Sequence, residues 1–368
     1  MSTTPPDRFP GRDQRRTPFG EETTEDRAHL ALGSVDQSAA VLERALFEVK
    51  RVLVGQDIMV ERMLVGLLAR GHLLLEGVPG VAKTLAVRTL ADIIGGSFTR
   101  LQFTPDLMPG DIVGTRVWRP STESFDTELG PVFANLVLAD EINRAPAKVQ
   151  SALLEAMAEG QVSVGGRTYA LPRPFLVLAT QNPIESEGVY QLPEAQRDRF
   201  LMKVDVDYPD ESEELAILQR MSVDPPHARE VLTAAQVLAL QDTADRVFVH
   251  HAVAQYAVAL VMATREPARR GLDAVARHVD FGASPRATLG LVAAARALAL
   301  MRGRDYVLPR DVADVAGDVL AHRLVLSFDA IAEDVDPRQL VAYLVGVVPQ
   351  PRIAPHDEPL EQAGTGAA

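Results

Sequence analysis

The octapeptide at residues 77–84, GVPGVAKT, constrains the fold of this chain more than any other segment. It follows the apolar run at residues 72–75, HLLL, and leads into LAV at residues 85–87, so it is predicted to join a buried strand to a helix. Glycines and short side chains allow several backbone N–H groups to converge on phosphate oxygens, and the N-terminus of the helix adds partial positive charge. The segment is therefore predicted to be a phosphate-binding loop in an α/β domain.

The side chains of this loop have distinct predicted roles. Lys83 is expected to reach the β- and γ-phosphates of a nucleotide, and Thr84 is expected to bind Mg²⁺. Ala82 stands where such loops usually have a second glycine, and because this position opens a helix, a methyl group is expected to fit ordinary helical dihedral angles. The predicted nucleotide-binding residues of the segment are Gly77, Val78, Pro79, Gly80, Val81, Ala82, Lys83, Thr84 and Leu85.

A second apolar run, residues 135–139, ends in two carboxylates, Asp140 and Glu141. The run is predicted to be another buried strand, and parallel sheets bind their ligands at the carboxyl edge of the strands. Asp140 is expected to hold Mg²⁺ through water. Glu141 is expected to polarise the attacking water as a general base. The alternative, a strand end with two solvated acids, is disfavoured by the presence of the phosphate loop.

Composition and charge exclude several other classes of protein. The 368 residues suffice for two domains, and the chain has no cysteine, which excludes disulfides, thiolate catalysis and cysteine metal sites. No secretory or transit signal is evident, and no apolar stretch reaches the roughly 20 residues of a membrane helix, so we expect a cytoplasmic protein without membrane insertion. The net charge of −13 argues against a generally basic surface, so nucleic acid is not an expected partner.

Hydrophobic periodicity predicts an α/β domain in the first part of the chain. Gly and Pro punctuation at residues 105–130 predicts an inserted hairpin, and alternation around Gly165 and Gly166 predicts a second one. Helices are predicted at residues 35–54, 57–70 and 146–159, and strands at residues 72–75, 98–103, 135–139, 175–179 and 201–206.

The pattern changes after Pro209, where long helical periodicities dominate and no convincing strand is found. Helices are predicted at residues 211–221, 233–242, 249–264, 285–301, 309–322 and 337–347. We therefore expect a disordered tail at residues 1–30, a phosphate-loop core at 31–208, an all-helical lid domain at 209–349 and a flexible tail at 350–368.

Over residues 35–347 the sequence resembles the MoxR family of AAA+ ATPases, in the group that carries inserted hairpins. The resemblance is carried by GVPGVAKT (77–84), LADEINRAP (138–146), ATQNPIE (179–185), LPEAQRDRF (192–200) and GASPRA (282–287). These correspond to the family's phosphate loop, acidic motif, first sensor, arginine-finger segment and second sensor. The resemblance implies an α/β AAA+ core with a five-stranded parallel sheet and an all-helical lid.

Two further catalytic groups follow from the resemblance. Asn182 ends a strand predicted to lie between the strands that bear the loop and the acids, so its amide is expected to orient the lytic water. Arg199 precedes a strand at the edge of the sheet and is expected to act as an arginine finger on a neighbouring subunit. Arg197 stands where the family usually has an apolar residue and is the other candidate. The structural alternative for Arg199 is a surface ion pair with Asp198 or Glu194.

The resemblance also points to residues on either side of the core. Ser284 and Pro285 have the form of a helix start, so Arg286 is expected to project from a helix N-terminus toward the nucleotide and to act as the second sensor. Gly55 and Gln56 resemble the family's loop on the adenine side of the nucleotide. The alternatives are a surface arginine and a simple turn between helices.

The resemblance implies a Mg²⁺-dependent ATPase in a homo-oligomeric ring, expected to be a hexamer. Such proteins are chaperone-like: they remodel or mature client proteins, including by cofactor or metal insertion, often with a partner that bears a von Willebrand factor A domain. A magnesium-chelatase-like or DNA-associated ring motor is one alternative, which the acidic composition opposes. A nucleotide-regulated scaffold without turnover is another, which the presence of Glu141, Asn182 and the candidate arginines opposes.

Overall fold

The computed structural model describes residues 34–78, 80–182, 189–222 and 226–352. Up to residue 208, the described chain forms an α/β unit. Its elements are α1 (Val35–Val52), α2 (Asp57–Leu68), β1 (Leu73–Gly77), α3 (Lys83–Ile93), β2 (Phe98–Gln102), α4 (Pro109–Val113), β3 (Gly114–Arg119), β4 (Ser124–Leu129), β5 (Leu136–Asp140), α5 (Ala147–Glu159), β6 (Gln161–Val164), β7 (Arg167–Ala170), β8 (Leu176–Gln181), α6 (Glu194–Arg197) and β9 (Met202–Val206).

A five-stranded parallel sheet in the order β2-β5-β8-β1-β9 lies at the centre of this unit. Its inner strands are almost continuously aliphatic because both faces of the sheet are covered. Alternate side chains point to opposite faces, so Leu73 and Leu75 pack in one hydrophobic cluster and Leu74 packs in the other. The predicted parallel sheet and all five predicted strands are confirmed.

Both predicted hairpins form beside the sheet. Strands β3 and β4 pair in an antiparallel ribbon, and β6 and β7 form a second ribbon whose two-residue turn is Gly165 and Gly166. Both turn glycines have positive φ, 59° and 80°, which is the backbone conformation that a tight hairpin turn requires. Gly165 also contacts the Arg116 side chain of the first ribbon so closely that a Cβ atom would lie 2.0 Å from Cδ. The two ribbons therefore lie against each other.

The remainder of the described chain is mainly helical. Its elements are α7 (Glu211–Met221), α8 (Ala234–Arg246), α9 (His251–Arg265), α10 (Asp273–His278), β10 (Val279–Phe281), α11 (Pro285–Met301), α12 (Pro309–Leu320), β11 (Val325–Leu326), α13 (Phe328–Ala332) and α14 (Pro337–Val347). The expectation that this half contains no strand was wrong, because β10 and β11 pair in a short antiparallel ribbon. Strands of three and two residues are too short for an alternating pattern to show in the sequence.

The helical half packs directly on the sheet unit. One hydrophobic cluster includes Leu73 and Leu75 of β1, Leu42 of α1 and Leu291 and Leu298 of α11. The apolar interior is therefore continuous between the two halves. No helix in the described part of the chain combines the length and the apolar composition that crossing a bilayer requires. The predicted tail at residues 1–30 lies outside the described residues, as does the predicted tail at residues 350–368 from residue 353 onward.

Candidate nucleotide site

The phosphate loop lies where the sequence predicts it, between the end of β1 and the start of α3. A Cβ atom at Gly77 would lie 2.2 Å from the Val206 carbonyl oxygen, so only glycine allows β1 and β9 to approach this closely at their carboxyl ends. Gly80 has a φ of 88°, which also favours glycine. Pro79, a predicted loop residue, lies outside the described residues.

The expectation for the backbone of Ala82 was wrong. Ala82 caps α3 with φ 57° and ψ 21°, which is the left-handed region and not the helical region that the sequence suggested. This conformation costs alanine roughly 1 kcal/mol relative to glycine, because the Cβ atom approaches the following carbonyl oxygen. The alanine substitution in the loop is therefore a strained one. Two other predicted loop residues, Val78 and Leu85, pack against the hydrophobic core.

The Lys83 side chain folds back over the loop. Its Nζ donates a hydrogen bond of 2.6 Å to the Gly77 carbonyl oxygen. Burial lowers the pKa of Lys83 because it disfavours the charged ammonium, and the carboxylates of Asp140, Glu141 and Glu76 oppose this shift. The ammonium is thus partly desolvated near three acids, in a position where phosphate oxygens would offer it additional acceptors.

A cavity of about 320 Å³ opens at this edge of the sheet. It brings together the loop, the two acids and the end of β8, as the sequence predicts. The lining residues are Gly77, Gly80, Val81, Ala82, Lys83, Thr84, Arg100, Asp140, Glu141, Thr180, Gln181 and Asn182. Asn182 follows β8, which lies between β5 and β1 as expected, and the residue is 9% exposed.

Hydrogen bonds fix the Asp140 carboxylate on both sides. Its Oδ1 accepts a bond of 2.6 Å from the Thr180 hydroxyl, and its Oδ2 accepts bonds from Nη2 and Nε of Arg100 at 2.6 and 3.0 Å. Thr180 also accepts a bond of 2.9 Å from the Glu141 backbone N–H. Sequence reasoning missed Arg100 and Thr180, because their proximity to Asp140 depends on the order of the strands.

Glu141 stands at a turn directly after β5. Its backbone has a φ of 57°, a left-handed conformation that re-aims the side chain away from the strand direction. Its Oε2 accepts a hydrogen bond of 2.6 Å from the Gln102 side chain and lies 3.1 Å from Nε of Arg144. Gln102 was also missed, although its register opposite Asp140 on the neighbouring strand explains the contact.

The donor set fits magnesium. Asp140 offers carboxylate oxygens and Thr84 offers a hydroxyl oxygen, and both line the cavity beside Lys83. Mg²⁺ prefers hard oxygen ligands and commonly uses one or two protein groups together with nucleotide phosphates and water. The chemistry of the two residues that the sequence assigned to the cation therefore suits Mg²⁺, and their role as its ligands stays a prediction.

The predicted adenine-side residues lie outside the lining of this cavity. Gln56 adopts a left-handed conformation and donates a hydrogen bond of 2.8 Å from its amide to the Asp207 carbonyl oxygen. Gly55 has a φ of 66°, and a Cβ atom there would lie 2.7 Å from the Glu213 carboxylate. The loop between α1 and α2 therefore contacts the start of α7, where the helical half begins.

The two candidate finger arginines have different surroundings. Arg199 is exposed, and its Nη1 donates a hydrogen bond of 3.1 Å to the Leu154 carbonyl oxygen. No residue in the described ranges forms an ion pair with Arg199. Arg197 is half-buried, and it is Arg197 that pairs with Glu194, at 3.8 Å. The surface ion pair considered for Arg199 is therefore not observed among these residues.

The second predicted sensor lies beside the finger segment. Ser284 caps α11, and its hydroxyl donates to both carboxylate oxygens of Asp198 at 2.9 Å. Arg286 lies 3.6 Å from the same carboxylate, which also accepts a bond of 2.9 Å from Arg323. Arg286 is not among the residues that line the cavity. Asp198, which sequence reasoning did not assign a role, thus joins the finger segment to the helical half, and the sensor role of Arg286 stays a prediction.

A parallel sheet with a phosphate loop and two acids at one edge, joined to a helical lid, defines a phosphate-loop ATPase of the AAA+ class. Residues 72–202 match the family model for the "ATPase family associated with various cellular activities (AAA)", and residues 272–343 match the "AAA lid domain". These matches agree with the phosphate loop, the acids and the lid that the sequence indicates.

Comparison with individual proteins narrows this class. The chain is 62% identical over 312 residues to Chaperone MoxR1 of Mycobacterium tuberculosis, covering 85% of this chain and 83% of that protein. It is 34% identical over 310 residues to Protein MoxR of Methylorubrum extorquens, covering 78% and 88%. A crystal structure of a Cytophaga hutchinsonii protein classed as an ATPase has 44% identity and a TM-score of 0.82, covering 89% and 99%. The chain belongs to the MoxR family of AAA+ ATPases, and the family resemblance seen in the sequence is confirmed.

Proposed function

We propose that this ATPase is Mg²⁺-dependent, that it works as a homo-oligomeric ring, and that it couples ATP hydrolysis to the remodelling of client proteins. The observation that carries the proposal is the cavity at the carboxyl edge of the sheet. It places Lys83, Thr84, Asp140, Glu141 and Asn182 around one space. A nucleotide-binding scaffold without turnover would not need the last two of these residues.

Each residue around the cavity has one proposed task. The loop amides and Lys83 bind the phosphates, while Thr84 and Asp140 hold Mg²⁺, partly through water. Mg²⁺, when bound, would neutralise charge that develops on the phosphate oxygens. Glu141 accepts a proton from the attacking water, and the Asn182 amide orients that water. Gly55 and Gln56 are proposed to contact the adenine through backbone groups.

The position of Arg199 favours action on a neighbouring subunit. Strand β9 runs parallel to β1, with Met202 opposite Leu73 and Val206 opposite Gly77. Arg199 therefore lies at the edge where β1 begins, whereas the phosphate loop lies at the edge where β1 ends. A five-residue strand spans roughly 16 Å, so the Arg199 guanidinium is remote from the nucleotide site of its own subunit. A ring in which each Arg199 faces the next subunit's nucleotide resolves this separation.

We propose the domain division expected from the sequence, with a core at residues 31–208 and a lid at 209–349. Closure of the lid over ATP would move the two ribbons against a client held at the axis of a hexameric ring. The M. tuberculosis relative is named a chaperone, which supports client proteins as the substrate of this work. The proposed work on the client is its maturation or the insertion of a cofactor. We also propose a partner protein with a von Willebrand factor A domain and a cytoplasmic location.

ATP turnover measured against protein concentration tests the shared site. Turnover per subunit is expected to rise with concentration as the ring assembles, and Glu141→Gln is expected to abolish turnover while ATP still binds with Mg²⁺. A turnover per subunit that stays constant while the oligomer dissociates on dilution would contradict the proposal. Co-purification on the Glu141→Gln variant identifies the client, and recovery of nucleic acid in place of protein would contradict the chaperone role.

A further inference from the structure

Arg100 contacts the carboxylate on which the proposed magnesium site depends. Both Nε and Nη2 of Arg100 donate to Asp140 Oδ2, at 3.0 and 2.6 Å. Two N–H groups directed at one oxygen use both of its lone pairs. Oδ1 is already held by Thr180. The carboxylate is thus bonded on both oxygens by groups of this chain.

The strand register explains this contact. Strands β2 and β5 are neighbours, with Gln102 opposite Asp140. Arg100 lies two residues earlier on β2, so its side chain projects from the same face as Gln102 and reaches along the strand toward the acid. Its Nη2 also donates a bond of 3.0 Å to Gln102 Oε1. The orientation of the guanidinium is therefore fixed by its hydrogen bonds to Asp140 and Gln102.

Arg100 is also in the right place to respond to the nucleotide. It lines the same cavity as Thr84 and Lys83, and its side chain is 50% exposed, whereas the Asp140 side chain is 16% exposed. An exposed arginine can exchange its partner for water at little cost, because surface ion pairs contribute little to stability. Of the two partners, Arg100 is therefore the one better placed to give up the contact.

We infer that Arg100 is a positioning residue that holds Asp140 Oδ2 and must release that oxygen when Asp140 takes part in binding Mg²⁺ with ATP. The inference rests on the proposed function of the cavity. A guanidinium and a divalent cation repel each other when both are within a few ångströms of one carboxylate oxygen. The ion pair therefore competes with the metal, and Arg100 raises the concentration of free Mg²⁺ that nucleotide binding requires.

Binding of a fluorescent, non-hydrolysable ATP analogue across a series of free Mg²⁺ concentrations tests this inference without relying on turnover. Arg100→Gln is expected to bring the Mg²⁺ midpoint down about two- to fivefold, the modest effect of a partly exposed ion pair. Arg100→Lys keeps the charge but loses the two-bond contact, so its midpoint is expected to lie between those of the parent and Arg100→Gln. Arg88→Gln removes an exposed arginine from α3 and is expected to keep the parental midpoint.

The outcomes separate this inference from the proposed function. If the parent chain does not bind the analogue at any Mg²⁺ concentration, the proposed nucleotide site is wrong. If the parent binds it and Arg100→Gln has an equal or higher midpoint, only the role of Arg100 is wrong. If Arg100→Lys equals the parent while Arg100→Gln is shifted, charge at a distance explains the result and the positioning role is rejected. Should Arg100→Gln fail to fold, the comparison of Arg100→Lys with the parent decides.

Discussion

The two edges of the parallel sheet differ in how their polar groups are satisfied. At the carboxyl edge, Lys83, Asp140 and Glu141 are partly exposed and bonded to partners that a nucleotide would compete with. At the amino edge, His72 is buried, and its Nδ1 accepts a bond of 3.0 Å from the Val177 N–H while its Nε2 lies 3.1 Å from the Met157 carbonyl oxygen. Polar groups at the carboxyl edge can exchange their present partners for a nucleotide, whereas His72 at the amino edge is enclosed by hydrogen bonds within the chain.

Backbone strain occurs at both edges. Ala82 and Glu141, the two non-glycine residues with positive φ that line the cavity, both lie at the carboxyl edge. Such conformations cost roughly 1 to 3 kcal/mol and persist where the surrounding structure enforces them, which is commonly at binding sites. At the amino edge, Arg70 also has a positive φ, 50°, two residues before His72, and His72 makes an edge-to-face contact with Phe175. The two edges therefore differ in their hydrogen bonds and not in backbone strain.

The largest expected effect concerns Arg199. This residue lies at the amino edge, yet it is proposed to act on a nucleotide bound by the neighbouring subunit. Arg199→Ala is expected to reduce turnover about 10³-fold or more, roughly 4 kcal/mol in the barrier, with ATP affinity retained. Arg197→Ala is the matched control and is expected to have the smaller effect. Turnover and binding of the non-hydrolysable analogue, measured at a concentration where the ring is assembled, distinguish the two arginines.

Mixing two inactive variants sharpens the test. Arg199→Ala subunits keep an intact phosphate loop, and Lys83→Met subunits keep an intact Arg199, so mixed rings are expected to regain part of the parental turnover. This recovery follows only if one subunit supplies the arginine and its neighbour supplies the loop. Mixed rings that form but stay as inactive as their components would place Arg199 outside the shared site.

The sequence predicted most of the fold because the decisive elements have strong local patterns. The aliphatic inner strands and the Gly-Gly hairpin are examples, and the helix over Pro285–Met301 was predicted with its exact bounds. The ribbon of β10 and β11 was missed because its pairing joins Val279 to Leu326, which are far apart in the chain. Pairing between distant short segments leaves no periodic signal.

The site was predictable only where a motif carries its chemistry locally. The loop and the two acids are recognisable as local sequence motifs, whereas the contacts of Arg100 and Gln102 depend on the register of β2 with β5. Asp198 likewise becomes important because Ser284 and Arg323, from distant segments, both donate to it. Sequence reasoning thus missed the residues that contact and position the predicted groups, because strand order and domain packing determine which residues come into contact.

The pH dependence of stability tests whether His72 stays buried and neutral at the amino edge. Burial lowers the pKa of His72 to about 4, from an ordinary value of 6.5. Between these values the unfolded chain binds a proton that the folded chain does not, so the free energy of unfolding falls as the pH falls. His72 alone is expected to remove about 1.5 kcal/mol between pH 6.5 and 5. Burial also lowers the pKa of His322, which adds to the fall in the same direction.

Urea unfolding at several pH values measures this contribution. His72→Gln removes the titrating group and is expected to show a shallower fall of the unfolding free energy over this range than the parent. Glutamine does not reproduce both bonds of the imidazole, so the variant is compared by the slope against pH and not by its absolute stability. His251→Gln alters an exposed histidine and is expected to keep the parental slope. An unchanged slope in His72→Gln would show that His72 does not control acid lability.

The smallest expected effect concerns the strain at the carboxyl edge. Ala82→Gly restores the residue suited to a φ of 57°, and the free energy of unfolding is expected to rise by about 0.5 to 1 kcal/mol, because the relief of the left-handed alanine exceeds the entropy that glycine adds to the unfolded chain. Ala86→Gly, four residues further along α3, is the control and is expected to lower stability by about 1 kcal/mol or more, since that position is helical and buried. If both substitutions destabilise equally, the left-handed backbone of Ala82 is not a source of strain.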